Sequence, residues 1–104
     1  LFYGAAYTPL YADAGREQNV VAFALRSSGR MLVAVAPRLF ARLVTPQDLA
    51  PTGARVWGES RLPLPPVEME DILTGRRHRG GPTPLADLLA EFPVALLLNS
   101  GTEP

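Results

Sequence analysis

The 104-residue chain has no cysteine, no lysine and one histidine, and each gap removes a class of chemistry. Without cysteine there is no thiol nucleophile, disulfide, iron–sulfur cluster or cysteine-bound zinc. Without lysine there is no Schiff base and no phosphate-loop lysine. A lone histidine with no spaced Ser or Asp partner is a poor start for a triad. Apolar runs stay short of the ~20 residues that cross a bilayer, and Leu1 to Leu10 has neither a basic leader nor a continuous apolar stretch. Ten arginines balance ten acids, so no net field draws the chain to nucleic acid or to an anionic membrane. These absences predict a soluble, cytoplasmic chain with no cofactor, no metal site, no nucleic-acid partner and no membrane partner. A first residue of leucine suggests a piece cut from a longer polypeptide.

What is present is turn-forming and apolar. Eleven prolines and nine glycines accompany 47% hydrophobic residues, a balance that opposes both disorder and long helices and favours many short strands. The size suits one domain, which buries about 65% of its unfolded surface. The clearest signal is Val20 to Leu25 and Met31 to Ala36 flanking Ser27-Ser28-Gly29-Arg30, a β-hairpin pattern. With Ser27 facing Arg30, Leu25 opposes Leu32, Phe23 opposes Ala34 and Ala24 opposes Val33. Both faces are then apolar, where a half-exposed hairpin would alternate with polar residues.

Around the hairpin, Tyr3 to Tyr11 reads as an edge strand or two short strands because it holds Pro9. Arg38 to Leu43 reads as a helical turn or two, and Thr45 to Gly53 as the longest loop. Ala54–Trp57, Arg61–Leu64 and Val67–Leu73 read as short strands, Thr74-Gly75 as a turn and Gly80-Gly81-Pro82 as a break. Leu85, Leu88, Leu89 and Phe92 recur at helical spacing behind Thr83 as N-cap and Pro84 as first helical residue. Val94 to Leu98 is a last strand. The expected fold is therefore all-β, an antiparallel β-sandwich with one or two short helices, spanning residues 1–98 with a polar tail at 99–104.

Candidate chemistry is sparse. Glu68, Glu70 and Asp71 are close in sequence, and alternation puts Glu68 and Glu70 on one strand face, as an acid/base pair or a calcium site would need. A solvated strand face explains them better, because no Asp-rich loop surrounds them. His78 lies among Arg76, Arg77 and Arg79, a pattern suited to a phosphate contact, or more simply to an exposed hairpin tip paired with nearby acids. Trp57, Tyr7 and Tyr11, with Tyr3, are the candidates for stacking on sugar rings, although aromatics in so small a fold are mostly core. No residue stands out as catalytic, and composition and spacing alone leave the activity open.

Several phrases taken together resemble the C-terminal region of maltooligosyltrehalose synthases, a family of the α-amylase superfamily (glycoside hydrolase family 13). They are Tyr7-Thr8-Pro9-Leu10, Val20 to Ala24, Leu32 to Arg38, Trp57-Gly58-Glu59-Ser60-Arg61-Leu62, Asp71-Ile72-Leu73-Thr74-Gly75-Arg76, and Pro84 to Leu97. Their order and spacing across almost the whole chain carry the resemblance. It implies a parent enzyme of trehalose biosynthesis that converts a terminal α-1,4 linkage to α,α-1,1 by intramolecular transglucosylation on the carboxylates of an upstream (β/α)8 barrel. Such a barrel takes about 250 residues, so the resemblance assigns this chain no catalytic residue. It implies instead a non-catalytic β-sandwich that packs on the barrel and supports it, with maltooligosaccharide bound weakly at most. A stand-alone carbohydrate-binding module for α-glucans is the alternative, and a small enzyme using Glu68 or Glu70 ranks last. Because the hairpin is apolar on both sides, an exposed apolar patch is expected, either in Tyr3 to Tyr11 or on the face of Ala22, Ala24 and Val33, where a barrel or a second copy would pack.

Overall fold

The hairpin read from residues 20–36 forms the centre of the structure. The computed structural model describes residues 6–27, 29–38 and 52–99. β2 (Val20–Ser27) and β3 (Arg30–Pro37) pair antiparallel with Leu25 against Leu32, Phe23 against Ala34 and Ser27 against Arg30, the register expected from the sequence. Gly29 takes φ +80° in the turn, a left-handed conformation that only glycine adopts cheaply. β1 (Ala6–Leu10) adds at one edge against β2, with Pro9 in an edge strand as expected. β8 (Ala95–Asn99) adds beside β3, followed by β5 (Met69–Asp71) and β6 (Arg77–His78). The result is a six-stranded antiparallel sheet in the order β1-β2-β3-β8-β5-β6.

A second layer covers one face of this sheet. It consists of a two-stranded ribbon, β4 (Arg61–Leu64) with β7 (Gly81–Pro84), and two short helices, α1 (Gly53–Trp57) and α2 (Leu85–Leu88). Between the layers lies one core. The sheet contributes Ala22, Ala24, Met31, Val33, Val35, Met69, Ala95 and Leu97, while the second layer contributes Val56, Trp57, Leu62, Leu64, Leu85, Leu88 and Leu89. The fold is all-β in class, with small residues on the broad sheet meeting bulky ones from the ribbon and helices.

Several elements differ from the sequence reading. The expected strand Ala54–Trp57 is helix α1. The Gly80-Gly81-Pro82 break is instead the entry to β7, where Pro82 pairs with Pro63. Neither proline has an N–H to donate, so each sits where that group would point away from its partner. Helix α2 starts one residue later than expected, with Pro84 as N-cap, and Thr83 belongs to β7. Leu85, Leu88 and Leu89 are buried as their spacing predicts, but Phe92 is 47% exposed. Pro93 disfavours helical geometry at the residue before it, and the chain turns into β8. That strand runs through Asn99, one residue past the expected boundary. The region from Val67 to Leu73 shrinks to three strand residues because Asp71 opens a turn. The expected helical turn at residues 39–43 and most of the loop at 45–53 lie outside the described residues.

Candidate functional site

The three clustered acids occupy different surroundings. Asp71 is buried, and its Oδ1 accepts hydrogen bonds from the N–H groups of Leu73 at 3.0 Å and Leu96 at 3.4 Å. Its backbone carbonyl accepts from Thr74 and Gly75. This carboxylate thus builds the Thr74-Gly75 turn and ties β5 to the start of β8. Glu68 is exposed and bridges Arg77 at 3.2 Å, a pairing weakened by water and salt. Glu70 is exposed and opposite Arg77 in register. One acid is committed to backbone N–H groups and another to an arginine, so the trio does not face a common reacting atom. Among the described residues, no three acids or histidines are grouped to hold a metal ion.

His78 is not the tip of an exposed hairpin. It is buried on the core side of β6, opposite Met69. Among the described residues its Nε2 has no hydrogen-bond partner. Burial, joined by the nearby Arg76 guanidinium, holds the imidazole below its ordinary range, against the opposing pull of Asp71 and Asp87. Arg76 itself donates to the backbone carbonyl of Asp87 at 2.9 Å. The cluster is therefore split, with Arg77 toward Glu68, Arg76 toward α2 and His78 inward.

The aromatic candidates separate as well. Trp57 is fully enclosed in the core, so no face of its ring is open to a sugar. The phrase around it is structural. The Oγ of buried Ser60 donates to the carbonyl of Asp13, whose carboxylate accepts from the Arg61 N–H at 2.7 Å. Arg16 donates to the Val56 carbonyl at 3.2 and 3.0 Å. These bonds fasten the loop after β1 to the end of α1. Tyr7 and Tyr11 remain 62% and 68% exposed, and Tyr7 stacks on Phe23 with ring centres 5.4 Å apart. Tyr3 lies outside the described residues.

One open feature among the described residues is apolar. The face bearing Ala22, Ala24 and Val33, one expected location for an open patch, is instead the core face, because the ribbon and helices cover it. The open face is the opposite one. Across its strands run Leu25, Leu32 and Leu98 in one row and Phe23, Ala34 and Leu96 in the next. Val21, Leu73 and Val94 are also exposed, and with Phe23, Ala34, Ala36 and Leu96 they line an open trough of ≈ 290 Å³. The parity of the hairpin was the signal for this surface; of the two expected locations, the Ala22, Ala24 and Val33 face is covered, whereas Tyr7 and Tyr11 of the other are exposed.

No protein-family model matches the chain. Two proteins from strains of Mycobacterium tuberculosis, described as maltooligosyl trehalose synthase, are 39% identical to it over 98 residues, or 94% of this chain. Solved structures of the maltooligosyltrehalose synthase of Arthrobacter ramosus and of a mutant superpose on 89% of this chain, with TM-score 0.68 and 30% identity. The chain spans 11% of the length of each of these relatives. Its homologues are thus maltooligosyltrehalose synthases, and it corresponds in sequence and fold to one small stretch of them.

Proposed function

We propose that this chain is the C-terminal β domain of a maltooligosyltrehalose synthase and supports that enzyme without performing its chemistry. The observation that carries the reading is a likeness in both sequence and fold across nearly the whole chain, against only 11% of each relative. The parent reaction would move the terminal glucosyl linkage of a maltooligosaccharide from α-1,4 to α,α-1,1. A retaining transfer of that kind needs two carboxyl groups about 5–5.5 Å apart across the scissile bond. Here Asp71 is committed to backbone N–H groups and Glu68 to Arg77, which favours a role outside the reaction. The polypeptide encoded by the complete reading frame is expected to consume the reducing ends of maltohexaose, while the 104-residue chain leaves them intact. A non-reducing product made by the chain alone would overturn the proposal.

The exposure of Tyr7 and Tyr11 supports a second reading, a binding module for α-glucans. Titration with maltoheptaose, followed by tyrosine and tryptophan resonances, separates the two. A supporting domain shows no saturable shift at millimolar sugar, whereas a module shows saturable shifts at Tyr7 and Tyr11 with the enclosed Trp57 unmoved.

A further inference from the structure

We propose that His78 is an acid-sensitive latch: protonation of its ring releases the edge strand β6 and the turn before it from the sheet, while the β2–β3 hairpin stays closed. Geometry sets up the device. β6 is the last strand of the sheet and consists of Arg77 and His78 alone. Two register pairs hold it, Met69 with His78 and Glu70 with Arg77, next to the Asp71 N–H that bonds the Arg76 carbonyl at 2.8 Å. So lightly held an edge nevertheless buries a titratable ring. His78 is 8% exposed, and its Nε2 has no hydrogen-bond partner among the described residues. A neutral ring with its proton on Nδ1 leaves Nε2 an empty acceptor. The protonated ring has an N–H on both nitrogens, and keeping that donor and its charge buried without a partner costs more than exposing them.

The charged groups that act on the ring come from three elements, and each has prior commitments. Asp71, at the end of β5, spends its Oδ1 on the N–H groups of Leu73 and Leu96. Asp87 belongs to α2, and its backbone carbonyl already accepts from the Arg76 guanidinium at 2.9 Å. Arg76, in the turn before β6, is a cation and repels a second one. The two carboxylates favour the charged ring, but burial and Arg76 outweigh them. On β6 itself Arg77 is turned to Glu68. Two fixed points bound the piece that moves. The Gly75 N–H bonds the Asp71 carbonyl at 2.7 Å, and the Gly81 N–H bonds the Pro65 carbonyl at 3.3 Å beside the close packing of Gly80 on Pro65 and Val67. Residues 76–79 lie between them. Turning outward, they carry the ring to water at the loss of the short ladder and of the Arg76 bond to α2. The hairpin has eight-residue strands and lies inside the sheet, so acid opens the edge first.

A single histidine makes the test clean, because the ring resonances of the 104-residue chain belong to His78. Amide exchange followed by NMR, corrected for the intrinsic rate at each pH, reads the opening. Between about pH 7 and pH 5, protection of the Asp71 amide is expected to fall about five- to tenfold as the ring titrates. Protection in β2 and β3 is expected to hold within about twofold. In His78→Gln the Asp71 amide should lose its pH dependence, and His78→Phe gives the same reading if the glutamine is not tolerated in the core. A flat Asp71 amide in the native chain overturns the latch. So does an equal fall in both variants, which would assign the effect to the carboxylates, and so does a fall of the same size in β2 and β3, which would mean that the whole molecule opens. The outcome is independent of the enzyme assignment, since it concerns side chains within this chain and no sugar enters the measurement.

Discussion

Gly80 shows how one missing methyl group holds two segments together. It sits at φ +86°, and a Cβ there would fall on the carbonyl oxygens of Pro65 and Val67. Gly80→Ala therefore combines backbone strain with a backbone clash, and a loss of about 2–4 kcal/mol is expected, read as a lowered urea midpoint. Gly75, at φ +80° with nothing within 4 Å, carries only the conformational part, so Gly75→Ala should cost about 1 kcal/mol. His78 gives a pH dependence. Its folded pKa lies below the ordinary 6.5, chiefly through burial, so as pH falls the unfolded chain takes up this proton first. Its contribution is complete above about pH 6.5 and declines as pH drops through that value toward the lowered folded pKa. Urea midpoints measured between about pH 5 and 8 should fall more steeply toward acid in the native chain than in His78→Gln. Equal slopes would contradict the assigned burial.

Elements of four or five residues depend on their neighbours, and here sequence reading fails. Helix α1 has five residues, too few to stand alone in water. Val56 and Trp57 favour strands by propensity, which is why the segment reads as one. It is held as a helix by the Gly58 N–H bonding the Ala54 carbonyl, the Gly53 N–H bonding the Leu89 carbonyl, and Arg16 bonding the Val56 carbonyl from 40 residues away. Arg16→Ala is expected to cost about 1–2 kcal/mol by stranding that carbonyl, with faster amide exchange in α1 than in β2 and β3. The hairpin, by contrast, was legible to the residue, since a two-residue turn between Ser27 and Arg30 fixes which residues face each other along both strands.

For the molecule as a whole, the sequence revealed two apolar sheet faces but not which one the chain covers itself. Alanines permit close approach, so the face of Ala22, Ala24 and Val33 was a reasonable docking surface. In the structure that closeness is used internally, where Trp57, Leu62, Leu85 and Leu89 need small neighbours to fill the core without overlap. The aromatic candidates were ambiguous for a related reason: a tryptophan suited to stack on sugar is equally suited to be buried, and Trp57 lies in the core cluster. The β4–β7 ribbon adds a final asymmetry. The prolines at 63, 82 and 84 carry no N–H, and the Arg61 N–H is already taken by Asp13, so the flanks of the ribbon offer no donor to an arriving strand. Stacking of copies into a fibril has no template on that side. Among the described residues, then, the ribbon closes its flanks to strand addition while the outer face of β2, β3 and β8 presents apolar rows.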